Sequence, residues 1–218
     1  MMIPRTPDVL RHLFPDMLFR IPTESEKQPS VYLTFDDGPH PAETEFVLRC
    51  LHDFGAKATF FVTGMQAEKN PDGLAQIRGA GHHVANHGYS HLKAGKVSAE
   101  SYLNDTEKGA LITGSRLFRP PYGYLTPSLY KALRKKNRIA LWDVITEDYR
   151  QDKPSELLLE SALKKVRNGS LVVFHDQPRA SKHLSYVLPR LMERLNQQNF
   201  AFHSLALFEP IVELGVHG

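Results

Sequence analysis

The sequence predicts an α/β fold with a parallel sheet and right-handed crossovers, and three observations predict it. About seven short apolar runs alternate with about six amphipathic stretches from Val31 onward. The apolar runs are rich in Val, Phe, Thr and Tyr, as strands are. Residues able to do chemistry fall just after those runs. Open doubly wound sheets and closed α/β barrels both place their sites there, at the carboxyl ends of strands. The element count fits either architecture.

Taken in order, the expected strands are Val31–Phe35, Ala58–Val62, His82–Asn86, Leu117–Arg119, Ile139–Val144, Leu171–Phe174 and Ala201–Leu205. Between them lie the helices. Val47, Cys50, Leu51 and Phe54 stand at i, i+3, i+4 and i+7, and Gly55 follows as a stop. Thr126-Pro127 reads as N-cap and first helical residue of a helix carrying Leu129 and Leu133. Leu159, Leu163 and Val166 precede Gly169, and Val187, Leu191 and Leu195 precede Asn199, in the same pattern. Before Val31 there is only a short segment, helical from Pro7 to Leu13, and a polar linker from Pro22 to Ser30. The chain therefore divides into an N-terminal extension over 1–30 and one domain over 31–218.

Composition narrows the function classes. With 218 residues, 41% hydrophobic and 23% charged, the chain can bury a core without staples and is not of disordered type. A net charge of +3 is too small to argue for a nucleic-acid partner. The single cysteine, Cys50, excludes an internal disulfide and a multi-cysteine zinc site, and its place in an apolar helical stripe makes it a core residue. Met1 to Arg20 lacks the ~7–15-residue apolar run of an export signal, and no run approaches the ~20 residues of a membrane span. The default expectation is a cytoplasmic protein with no membrane span, although a removed leader would be invisible.

The strand ends carry the chemistry. Val31–Phe35 runs into Asp36-Asp37-Gly38-Pro39. Two adjacent carboxylates repel and need a cation or a proton nearby. His82–Asn86 runs into His87-Gly88-Tyr89-Ser90-His91, two histidines four apart. His83 and His87 have the same spacing, so spacing alone leaves the ligand pair open; chain position favours His87 and His91. Leu117–Arg119 leads to Pro120-Pro121-Tyr122-Gly123, Ile139–Val144 to Asp148-Tyr149, and Leu171–Phe174 to His175-Asp176. One Asp with two His makes a three-ligand metal site with room for water.

These residues resemble the five ordered motifs of the polysaccharide deacetylases, the NodB-homology or carbohydrate esterase family 4 group. The motifs are Thr34-Phe35-Asp36-Asp37-Gly38-Pro39, His87-x-x-x-His91, Arg119-Pro120-Pro121-Tyr122-Gly123, Asp148-Tyr149 and Leu171-Val172-Val173-Phe174-His175. The resemblance runs from about Val31 to the C-terminus. It implies a distorted (β/α) barrel of seven strands and metal-dependent removal of N- or O-acetyl groups from sugars. By position it implies Asp36 as general base and Asp37, His87 and His91 as ligands of a divalent metal, zinc first, with Co²⁺, Mn²⁺ or Ni²⁺ as substitutes. Arg119 would orient Asp36, and Asp148 would orient the general acid, His175. Asp143 is the competing partner for His175. The Tyr122 backbone N–H would bind the oxyanion, and Pro120 and Tyr149 would face the substrate. There are two departures. Gly88 stands where the family has a Ser or Thr that steadies the loop, and Tyr149 stands where it has a Trp that walls the sugar pocket.

Two rivals follow from the same residues, since fold does not fix function. One is hydrolysis of a non-sugar amide of the cyclic imide or ureide kind. The other is a carbohydrate-binding relative without turnover. A phosphoryl-transfer enzyme built on Asp36-Asp37 is disfavoured, because no Gly-rich phosphate cradle accompanies them.

Overall fold

A computed structural model describes residues 6, 7, 9, 13–21 and 28–210. Strand β1 (Ser30–Asp36) is buried along its length and lies at the centre of the sheet. On one side it pairs with β2 (Thr59–Val62), which leads outward to β3 (His83–Asn86), β4 (Leu117–Phe118) and β5 (Arg138–Ile139). On the other side it pairs with β7 (Ser170–His175) and then β6 (Val144–Ile145). The short β8 (Ala201–Phe202) pairs with the start of β1, and every pairing within the sheet is parallel.

The expected strand Ile139–Val144 is two strands, and this difference shows how the sheet is shaped. Ile139 ends β5 on one edge of the sheet and Val144 opens β6 on the other. Five residue steps span at most about 18 Å, whereas seven flat strands would be about 29 Å wide. The sheet must therefore curl until its edges approach. Residues 140–143 bridge the gap, and the chain from Leu18 to Ile21 closes it. Leu18 N–H donates to Ile139 O and Leu141 N–H donates to Leu18 O, both at 2.8 Å, and Ile21 N–H donates to Gly169 O at 2.8 Å. Leu18 and Phe19 are buried there. The result is a curled, barrel-like sheet of seven parallel strands wrapped by helices.

Seven helices cover it among the described residues: α1 (Pro41–Asp53), α2 (Gly64–Lys69), α3 (Pro71–Gly79), α4 (Ala99–Thr113), α5 (Pro127–Leu133), α6 (Ser155–Leu163) and α7 (Ser181–Gln197). Thr126 caps α5 as expected, its side chain accepting from Leu129 N–H. Val166 lies beyond the end of α6, and Arg119 just beyond β4. The helix expected over Pro7–Leu13 falls mostly outside the described residues. Three helices, α2, α3 and α4, had no counterpart in the apolar pattern. For α4 the reason is visible. Its buried residues are Tyr102, Thr106, Gly109, Ala110 and Thr113, mostly small or polar, so an apolar stripe is lacking. No described helix is long and apolar enough to cross a membrane.

Side-chain alternation along β1 divides the interior. Val31, Leu33 and Phe35 point outward into the main core under the helices, where Phe35 stacks between Phe60 and Phe174 at 5.0 and 5.8 Å. Cys50 is buried in the same core. Tyr32, Thr34 and Asp36 occupy the alternate positions, and Thr34 and Asp36 both bond Arg119, which fills the barrel interior and is fully buried.

Candidate active site

The alternation that buries Phe35 delivers Asp36 to the barrel mouth. There its Oδ1 accepts from Arg119 Nη1 at 2.6 Å. Arg119 is held by three further contacts: Thr34 Oγ1 at 2.9 Å, Leu141 O at 2.9 Å, and the face of Phe61 at 3.9 Å. A buried guanidinium of this kind must be paired, and Asp36 is the carboxylate that pairs it.

The next residue turns the other way. Asp37 has φ 79°, in the left-handed region, and swings its carboxylate toward the loop after β3. Its Oδ1 lies 3.1 Å from His91 Nε2 and 3.5 Å from His87 Nε2. These three donors form the one Asp/His cluster among the described residues with metal-ligand proximity. Two details fit a cation there. Asp37 Oδ1 is buried and lacks a hydrogen bond of good geometry. His87 Nδ1 sits 2.8 Å from Arg119 O, which can only accept, so Nδ1 carries a proton and Nε2 is the ring nitrogen turned toward Asp37. The other Asp37 oxygen accepts from Gln177 Nε2 at 2.7 Å. Burial opposes the Asp37 charge, yet the His87 and His91 contacts hold the carboxyl well below the usual range.

The loop bearing both histidines is clamped from α4. Asp105 accepts from Tyr89 N–H at 2.9 Å, from Ser90 N–H at 3.0 Å and from the Ser90 hydroxyl. Asn86 Oδ1 accepts from Gly88 N–H at 2.8 Å. Gly88 has φ 78°, and a Cβ there would lie 2.9 Å from Asp105 Oδ2. The loop thus gains from Asp105 and Asn86 the steadying that a hydroxyl at position 88 would give.

His175 ends β7 beside Asp36. Its Nδ1 is 2.7 Å from Asp148 Oδ1, and its backbone N–H donates to Asp148 Oδ2 at 2.8 Å. Burial disfavours the imidazolium, but the Asp148 charge and hydrogen bond outweigh it and push His175 up to about 9. Asp143 is occupied elsewhere, with Arg167 at 3.1 Å and Ser170 at 2.7 Å. His83 is also elsewhere, 3.0 Å from Glu209.

A cleft of about 640 Å³ opens above these groups, with Pro120, Tyr122, Trp142, Tyr149 and Arg179 among its walls. Tyr122 has φ 61°, and its N–H donates to no protein acceptor among the described residues. His91 has φ 57°, so three left-handed non-glycine residues surround one point, a concentration of backbone strain typical of functional sites. Trp142 reaches the cleft because Gly123 leaves room: a Cβ on Gly123 would lie 2.1 Å from its ring. Trp142 takes up the wall position beside Tyr149, whose ring meets His175 edge-on at 5.1 Å. Of the candidate site residues, Asp36, Asp37, His87, His91, Pro120, Tyr122, Tyr149 and His175 line this cleft, and Arg119 and Asp148 bond to Asp36 and His175 from behind, whereas His83 and Asp143 lie elsewhere. Sequence reasoning missed Gln177, Asp105 and Arg179. Only Gln177 offered a signal, two residues past the His175 strand end.

The fold and this constellation define a hydrolase-type site of the polysaccharide deacetylase kind. Residues 23–140 match the polysaccharide deacetylase family, and the chain belongs to that family. It is 30% identical over 179 residues to a peptidoglycan-N-acetylglucosamine deacetylase of Bacillus cereus, covering 79% of this chain and 84% of that one. It is 31% identical over 209 residues to a chitooligosaccharide deacetylase of Sinorhizobium fredii, covering 87% and 96%. Among solved structures, the Bc1960 peptidoglycan N-acetylglucosamine deacetylase superposes with a TM-score of 0.81 at 27% identity, covering 92% of this chain and 95% of that one.

Proposed function

We propose that this protein is a metal-dependent deacetylase that hydrolyses the N-acetyl groups of amino sugars in an oligosaccharide or polysaccharide. The observation that carries this reading is the pairing of two ionised couples around one three-ligand pocket. Asp36–Arg119 lies on one side and His175–Asp148 on the other, and both open to the same cleft.

Asp37, His87 and His91 would hold the cation, and one carboxylate with two imidazoles suits zinc, with Co²⁺, Mn²⁺ and Ni²⁺ able to replace it. Bound there, a divalent cation supplies Lewis acidity that polarises the acetyl carbonyl and acidifies water. Asp36, oriented by its ion pair with Arg119, takes the proton of the attacking water. The unpartnered Tyr122 N–H donates to the oxygen that becomes negative, a kind of contact worth about 3–4 kcal/mol in the transition state. His175, charged and aligned by Asp148, gives its proton to the leaving nitrogen, since an amine leaves poorly as an anion. Pro120, Trp142 and Tyr149 wall the sugar.

The test is acetate release from a panel of N-acetylated and O-acetylated sugars and cyclic imides, before and after chelation. We expect release from N-acetylhexosamine oligomers, lost on chelation and restored by zinc. Release unaffected by chelation, or turnover of imides alone, would overturn the proposal.

A further inference from the structure

Resting on that reading, we infer that Arg179 forms an anion subsite of the cleft and selects glycans that carry a carboxylate on or beside the reacting amino sugar. Its position follows from the chemistry. His175 protonates the leaving nitrogen, so the sugar lies on the His175 side and the acetyl group lies toward Asp37 and Tyr122. Arg179 is on the sugar side. It follows β7 in sequence, lines the cleft, and its Nε–H donates to the carbonyl of Tyr149, whose ring touches His175. From the other side the Gln151 amide donates to Arg179 O at 2.8 Å, which fixes the backbone as well.

The guanidinium is thus anchored through one nitrogen, and its two terminal nitrogens have no protein partner among the described residues. Its neighbours differ. Arg119 is paired with Asp36, and Arg150 with Glu147 and Asp152. The cleft lining offers no carboxylate to neutralise Arg179, because its two acids are already engaged: Asp36 by Arg119, Asp37 by the two histidines and Gln177. Lys93 lies 5.4 Å from the centre of the ring of Tyr122, an exposed residue of the cleft wall, and adds a second cation near that wall. A planar two-nitrogen fork with full charge matches a planar carboxylate.

The experiment compares glycan strands that alternate N-acetylglucosamine with N-acetylmuramic acid against the same strands with their carboxylates methyl-esterified. Wild type, Arg179→Gln and Arg179→Lys are assayed at low and high salt. The wild type should show kcat/KM about fivefold to tenfold higher on the free acid at low salt, a modest factor because the site is exposed. The difference should sit in KM and shrink with salt. Arg179→Gln should bring the acid-to-ester ratio of kcat/KM to about one, whatever its effect on the ester itself, and Arg179→Lys should retain part of the ratio. Equal losses on both strands, or no preference in the wild type, would overturn the inference. If neither strand releases acetate, the deacetylase reading fails. Direct binding of the two strands to wild type and Arg179→Gln then decides the subsite by itself: tighter binding of the acid, lost in the variant, upholds it, and equal binding overturns it.

Discussion

Asp105→Ala isolates the α4 clamp from the metal ligands themselves. The carboxylate accepts two backbone N–H groups and one hydroxyl from residues 89 and 90, between the two histidines. Hydrogen bonds to a charged group contribute about 1.5–3 kcal/mol each when buried. These are part-buried, and water can replace Asp105 in the variant, so about 1 kcal/mol for each backbone donor is a fair share. Loosening the loop leaves the ligands unordered until a cation binds, and that ordering cost is charged to affinity. About 2 kcal/mol corresponds to roughly 30-fold, inside the 10–100-fold range for residues that support metal ligands. A competition titration with a chromophoric zinc chelator measures it directly, and circular dichroism of the metal-free protein controls for folding. Zinc affinity within twofold of wild type, in a folded variant, would refute the clamp.

The ligand and base roles separate by mutation. Asp36→Asn should keep stoichiometric zinc and lose at least ~10²-fold in turnover, whereas Asp37→Asn should lose the metal, both read by metal analysis beside acetate release. The His87→Ala/His91→Ala double variant should bind no stoichiometric metal. The pH profile should be bell-shaped, with the alkaline limb owned by His175. Its pKa is raised to about 9, so the acid form persists through neutrality and is lost as pH climbs through that value. Asp148→Asn removes the group that raises it and should move the limb to lower pH. His175→Ala should harm amide substrates more than activated esters, whose leaving groups need no proton; equal losses would place the acid elsewhere.

The layout of the candidate site was legible wherever it followed from the ends of strong strands. Asp36, Asp37 and His175 sit where apolar runs stop, and a two-residue period fixes which way Asp36 and His175 point, while Asp37 is aimed by its own left-handed backbone. The choice of His87 over His83 followed from the same rule, since His83 lies within β3. What stayed hidden had no local signature. Asp105 acts through tertiary contact from a helix whose inner face is small and polar. The break between Ile139 and Val144 is hidden in a run that is apolar but for Asp143, because it reflects the meeting of two sheet edges. Arg179 reads as an ordinary surface arginine until the cleft is built around it. The backbone strain at Asp37, His91 and Tyr122 likewise appears only once the loops converge.

The closure at Leu18 bears on how quickly this barrel assembles. Residues made early in synthesis find their partners at Ala140 and Ser170. Contacts so distant in sequence are costly to close by chance and slow the folding of a domain that depends on them. Leu141, which donates its N–H to Leu18, also offers its carbonyl to Arg119 Nη2. This seam of the barrel is therefore one peptide away from the guanidinium that pairs with Asp36. A chain whose seam is still open, fresh from synthesis or recovering from heat, would carry nearly all its secondary structure with Arg119 one hydrogen bond short. Recovery of turnover after refolding should accordingly lag behind recovery of helical signal.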